Sequence, residues 1–225
     1  MNGKQIIVPM NEILLIDKPK GWTSFDVVAR IRGQIKRETG AKKPKVGHAG
    51  TLDPLASGLL IVLVGSATKK QDEFMKKDKV YEVEMKLGET STTGDEEGTK
   101  SKISGVQPSR EALLAALQRF HGEIMQKPHK YSAVKINGQR AYKLARAGKT
   151  VEIEPRKVTI YEITGVEYVY PLVKFIAKVS SGTYIRSLVE DIGTELGTGA
   201  YMTNLRRTEV GGFKVQDAKT IEQVV

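Results

Sequence analysis

Between Lys45 and Gly65 the chain reads KVGHAGTLDPLASGLLIVLVG, and two side chains in that stretch can do proton or nucleophile chemistry, His48 and Asp53. A carboxylate can attack an electrophilic carbon or remove a proton, and an imidazole exchanges protons near neutral pH. Gly47, Gly50 and Gly58 let a large ligand approach the backbone closely. Asp53 precedes Pro54, and an Asp in that position is often a turn former or a cap. The proline also pushes its backbone to an extended conformation. Residue types alone leave Asp53 open between shaping a turn and doing chemistry.

Other chemistries find little support. His48, His121 and His129 are widely spaced, with no HxxxH or HExxH pattern, so no metal site is expected. Gly65-Ser66-Ala67-Thr68-Lys69 lacks the spacing of a nucleotide-hydrolysing phosphate loop, and no Gly-x-Ser-x-Gly elbow occurs. Asp95, Glu96 and Glu97 fall in a Gly-rich stretch and read as a solvated acidic turn. The absence of cysteine excludes thiolate catalysis and disulfides and suits a reducing cytosol.

The elements that must position these residues follow from periodicity. Ile13 to Ile16 form a short apolar run ended by Asp17-Lys18-Pro19-Lys20-Gly21, a strand and a turn. Thr23 and Ser24 can cap a helix with Val27, Val28, Ile31 and Ile35 on one face and Gly40 at its end. Residues 59–64 are continuously apolar and predict a central strand. Residues 66–75 read as a short polar helix and 80–87 as a half-buried strand. Residues 88–105 read as a loop with hairpin content. Pro108 and Ser109 start a helix carrying Leu113, Leu114, Leu117 and Phe120. Strands are expected at 158–163 and 172–179, an amphipathic helix at 185–196, then a short helix and a strand. Without a strict βαβ rhythm, the expected class is α+β with a mixed, mostly antiparallel sheet flanked by helices.

Of the 225 residues, 40% are hydrophobic, enough for a core, and the formal net charge is +10. Such a surplus attracts polyanions. It is unevenly placed. Residues 127–151 hold seven Lys or Arg and no acid, interleaved with Tyr131 and Tyr142, a pattern suited to phosphate contact and base stacking. Residues 30–45 hold seven more against one acid, Glu38. No stretch approaches the ~18 apolar residues of a membrane span, so a soluble, cytoplasmic protein without membrane contact is expected.

Six stretches, in order, resemble the bacterial tRNA pseudouridine synthase B (TruB) family. They are LLIDKPKGWTSFDVV, GHAGTLDPLASGLLIVLVGSATK, KVYEVEMKLGETSTTGD, YSAVKINGQRAYKLARAG, SSGTYIRSLVEDIGTELG and LRRTEVGGF. The resemblance implies a pseudouridine-synthase fold with a mobile, RNA-gripping arm at about 127–151. It implies isomerisation of uridine 55 in the tRNA T loop to pseudouridine, without cofactor or metal. Carried over by position, Asp53 matches the essential aspartate and Arg186 the arginine that pairs with it. Tyr81 matches the tyrosine that stacks on the flipped uracil, His48 the histidine that helps extrude the base, and Tyr184 and Leu205 residues lining the uracil pocket. Within the arm, Lys130, Lys135, Arg140, Lys143, Arg146 and Lys149 are the candidate RNA contacts. The partner is the tRNA T stem-loop, and a monomer is expected.

Two positions depart from the family pattern: Ala49 stands where Thr or Ser is usual, and His129 where a second proline is usual. Residues 1–225 are expected to form a single domain for the catalysis, with a C-terminal PUA-like domain absent. Two alternatives remain beside the family reading: a guide-dependent, H/ACA-type subunit, and a tRNA-folding chaperone without activity.

Overall fold

The first helix starts where its sequence says it should. Thr23 accepts a hydrogen bond from the Asp26 amide, and the Asp26 carboxylate accepts one from the Thr23 amide, a reciprocal capping box. Gly40 closes the helix with φ +71°. The computed structural model describes residues 11–129, 131–132, 134–136, 138–149 and 152–224. In chain order its elements are β1 (Ile13–Lys18), α1 (Ser24–Thr39), β2 (Val46–His48) and β3 (Ser57–Val64). A 3-10 turn (Gly65–Lys70) runs into α2 (Gln71–Met75), followed by β4 (Lys79–Leu87), β5 (Glu89–Ser91), β6 (Lys100–Lys102), α3 (Arg110–Gln118) and β7 (Gly122–Gln126). Then come β8 (Lys135–Ile136), β9 (Gln139–Arg140), α4 (Ala141–Arg146), β10 (Arg156–Val169), β11 (Leu172–Val179), α5 (Ile185–Glu195), β12 (Ala200–Val210), β13 (Phe213–Lys214) and β14 (Lys219–Thr220). Most strand pairs are antiparallel, while β1–β14 and β3–β12 are parallel. This is the expected α+β class with a mixed sheet.

The chain divides into two compact units. One comprises Met1–Tyr81 with Leu205–Val225, the other Glu82–Asn204. In the first, the strand order is β14-β1-β3-β12. β3 pairs with β1 along one edge, from Ile13↔Leu63 to Lys18↔Gly58. Its other edge is shared: its start pairs with β12 through Ser57 and Gly58, and its end with β2 through Val62 to Val64. Leu60, Val62 and Val64 pack with Val27, Val28, Ile31 and Ile35 of α1. Leu59, Ile61 and Leu63 point the other way, toward Ala49, Phe74 and Val210. Both faces of β3 are therefore buried, which explains its unbroken apolar run.

In the second unit, β11, β10 and β7 follow one another in antiparallel order. β10 is longer than its apolar signal predicts because register shifts between Ile160 and Glu162 and between Thr164 and Glu167 carry the strand across polar residues. β2 and β7 are short, and β12 is broken by charged residues, so none shows a clear period of two in the sequence. Leu114 on α3 is 41% exposed, while Leu113 and Leu117 are buried.

Gly58 sits where β3 and β12 run closest. Its φ is +100°, and a Cβ there would stand 2.8 Å from the Arg207 amide nitrogen and nearer still to the Arg207 carbonyl oxygen. Gly40, also left-handed, has nothing within 4 Å of that position. Gly40→Ala should cost only the backbone strain, about 1 kcal/mol. Gly58→Ala must also push β3 and β12 away from each other and should cost roughly 3 kcal/mol or more. Urea midpoints of the two variants measure the difference, and equal shifts would refute the close-approach explanation.

Candidate active site

Asp53 stands at the tip of the loop between β2 and β3, and its side chain is exposed. The loop is tied down on both shoulders, all within the first unit. On one side Ser24 Oγ donates to the Leu52 carbonyl at 2.9 Å and accepts from the Leu52 amide at 2.8 Å. On the other the Gly21 amide donates to the Pro54 carbonyl at 2.7 Å. The Ala56 amide donates to the Asp53 carbonyl at 3.1 Å, closing the Asp-Pro turn. The turn reading and the chemical reading of Asp53 are therefore compatible, because the turn holds the carboxylate outward.

Beneath the loop lies Arg207, 1% exposed. Its Nε donates to the Leu59 carbonyl at 2.8 Å and its Nη2 to the Gly50 carbonyl at 3.0 Å. A buried guanidinium is costly unless its donors are used, so these bonds fix both the arginine and the loop. Next to it on β12, Arg206 holds both carboxylate oxygens of Asp17, at 3.1 and 2.7 Å. Lys18, fully buried at the end of β1, donates to the Pro19 carbonyl at 2.9 Å and the Trp22 carbonyl at 2.6 Å. Burial pushes the Lys18 amine down to about 8; the Asp53 carboxylate opposes the shift and the Arg207 charge adds to it. Lys79 is 6% exposed and donates to the Met75 carbonyl at 2.6 Å and to the Lys77 carbonyl. Burial, then Arg207, brings it to about 8 as well. Neither Lys18 nor Arg207 is among the site residues expected from the sequence. The available signals were a lysine ending an apolar strand and a tandem Arg-Arg inside LRRTEV.

The other candidates in this unit are His48, Tyr81 and Leu205. His48 pairs with Val62 across β2 and β3, and its carbonyl accepts from Gln71 Nε2 at 3.1 Å. Tyr81 is 8% exposed and shares a face of β4 with Lys79 and Val83. Leu205 on β12 is half-buried. Ala49, the departure next to His48, is fully buried in the apolar cluster with Leu59 and Ile61, and its amide donates to the Ile61 carbonyl at 2.9 Å. A hydroxyl at that position would need a partner of its own.

Tyr184 and Arg186 belong to the second unit, at the head of α5. The Gln126 side chain brackets the Tyr184 backbone, donating to its carbonyl at 3.1 Å and accepting from its amide at 2.8 Å. The Arg156 guanidinium lies 4.9 Å from the Tyr184 ring centroid. Arg186 Nη2 is 3.1 Å from Asp95 Oδ2, and its Nη1 donates to the Thr93 carbonyl at 3.1 Å. Asp95 is 3% exposed and also accepts from Thr93 Oγ1 at 2.5 Å. The solvated-turn expectation for Asp95 is thus corrected: it is a buried anchor for Arg186. Among the described residues no group of three or more His, Asp or Glu could hold a metal ion.

Most of the arm is described. Lys130 lies outside the described residues, as do Ala133, Asn137, Thr150 and Val151. Lys135, Arg140 and Arg146 are placed by their backbone in β8, β9 and α4, and Lys143 and Lys149 are exposed. His129 stacks on Tyr131, ring centroids 5.6 Å apart, and lies 3.6 Å from Glu190. Among the described residues no helix is long and apolar enough to cross a membrane.

The pH dependence follows from the two buried lysines. Folded near 8 and unfolded near 10.5, each binds fewer protons in the folded state across that interval. Stability should therefore rise as pH increases from about 8 to 10.5. Lys79→Met should show a smaller rise than wild type in thermal melts over that range; an identical slope would contradict the lowered value.

Known proteins resemble this chain along most of its length. The model of the TruB family pseudouridylate synthase N-terminal domain matches residues 36–185, and that of the tRNA pseudouridylate synthase B C-terminal domain matches 186–225. A tRNA pseudouridine synthase B of Clostridium acetobutylicum is 50% identical over 91% of this chain and 68% of its own length. One of Phocaeicola vulgatus is 46% identical over 94% of this chain and 90% of its own. Among solved structures, a chain of a Cbf5-Nop10-Gar1 complex superposes with a TM-score of 0.70 at 31% identity. It covers 97% of this chain, which spans 54% of that longer one. The expected pseudouridine-synthase fold is thereby met, and the chain belongs to the TruB family of pseudouridylate synthases.

Proposed function

We propose that this protein isomerises uridine 55 in the T loop of tRNA to pseudouridine, acting as a monomer. The observation that carries the reading is Asp53, exposed at the tip of a loop fixed by Ser24, Gly21 and Arg207. That such a loop serves tRNA is supported by relatives 46–50% identical that are named tRNA pseudouridine synthase B.

The reaction breaks a glycosidic N–C bond and joins the same base and ribose through a C–C bond. It is redox-neutral and needs one well-placed nucleophile or base, a role Asp53 fills. The target base must first leave its stack, at a cost of a few kcal/mol. Tyr81 offsets some of this by stacking, worth about 1–3 kcal/mol per base. His48 faces the incoming loop. The family resemblance assigns Arg186, Tyr184 and Leu205 roles in the same reaction.

The test is pseudouridine mapping on an unmodified tRNA transcript. Wild type should convert the T-loop uridine, and Asp53→Asn should bind the transcript but yield no product. Tyr81→Leu should slow conversion roughly 5- to 150-fold, the loss of one stacking interaction. Product formed only after a guide RNA is added would favour the H/ACA-type reading. Binding with no product from wild type would favour a chaperone.

A further inference from the structure

The second basic run, residues 30–45, has no role in the site above, yet it lines a cavity of about 770 Å³ in the first unit. The cavity lies between the second half of α1, residues 42–45, the start of β2 and the neighbouring Thr68 and Gln71. Its cations are Arg32, Lys36, Lys42, Lys43 and Lys45, and no carboxylate is among the described residues that line it. Arg32 is fixed there: its Nη2 donates to the Val46 carbonyl at 2.9 Å, and its guanidinium carbon is 5.9 Å from the Phe25 ring centroid. The four lysines are exposed, on flexible stems. Gly47, also lining the cavity, leaves its floor without a side chain.

We infer that this groove is a second RNA-binding site, which holds the sugar-phosphate backbone of a strand outside the reacting nucleotide. Five cations spread along an open groove match a row of phosphates better than one small anion, which needs converging donors in a closed nest. The groove is also contiguous with the site. β2 leads from Lys45 through Val46 and Gly47 to His48, about 10 Å of extended chain, and Gln71 touches both, lining the groove and donating to the His48 carbonyl. A strand entering past His48 would meet the groove within a few nucleotides. The inference rests on the RNA-modifying reading above and adds a contact for it outside the arm.

The test uses the whole protein with Lys42, Lys43 and Lys45 all changed to Gln, exposed positions whose loss leaves the Arg32 bond intact. A control variant changes the exposed Lys102, Lys178 and Lys214 to Gln. Binding to an unmodified tRNA transcript is measured by fluorescence anisotropy from 50 to 300 mM salt, with pseudouridine formation alongside. The groove variant should bind on the order of tenfold more weakly at 0.1 M salt and lose about 2 from the slope of log Kd against log salt. Its rate at saturating RNA should equal that of wild type, because no changed residue meets the reacting base. A wild-type protein that forms pseudouridine, with equal slopes for groove and control variants, would overturn the groove while leaving the enzyme reading intact. A groove variant that binds RNA normally but loses binding to polyglutamate would overturn it in favour of an acidic protein partner. A wild type that forms no pseudouridine would instead bring down the reading on which the groove rests.

Discussion

The buried guanidinium of Arg207 is the constraint on which the candidate site depends. The Arg207 backbone runs parallel to the start of β3 at Gly58, where a Cβ would collide with it. Its side chain reaches the Leu59 carbonyl in that strand and the Gly50 carbonyl in the loop that displays Asp53. One residue thus joins sheet to loop. Removing it would leave two carbonyls short of donors and the loop short of its floor. The same charge, enclosed away from water, helps to lower the affinity of Lys18 and Lys79 for protons. The site is therefore built on buried cations that oppose each other, a costly arrangement that a purely structural loop has no need of.

The net charge of +10 serves two purposes that composition cannot separate. Lys18, Lys79 and Arg207 are interior and hydrogen-bonded to backbone carbonyls. Lys143 and Lys149 of the arm, and Lys36, Lys42, Lys43 and Lys45 of the groove beside α1, are exposed charges. Of the first set, Arg207 fixes the loop that displays Asp53. His48 stands where the two meet, between the groove and the Asp53 loop.

What the sequence disclosed followed local rules. Thr23 and Gly40 bounded α1, and the unbroken Leu and Val run marked β3 as buried on both faces. Asp53 and His48 stood out by residue type and glycine context. The rest depended on distant pairings. Arg207 and Lys18 are residue types that usually face water, and only the fold shows them inside. Asp95 sat in an acidic, Gly-rich stretch, and its partner Arg186 lies 91 positions away, on another element. β12 carries Arg206, Arg207 and Glu209 within its span, which hid it from any apolar count.

With these ties in place the loop is formed before RNA arrives, and Asp53 is already aimed. Amide hydrogen exchange of the free protein tests this most directly, read at Ala49, Leu52 and Ala56, whose N–H groups bond to Ile61, Ser24 and Asp53. Protection at these three amides should approach that of β3, and should be lost in Arg207→Met while β11 remains protected. Exchange at unstructured rates in the wild-type protein, slowing only when RNA is added, would contradict a preformed loop.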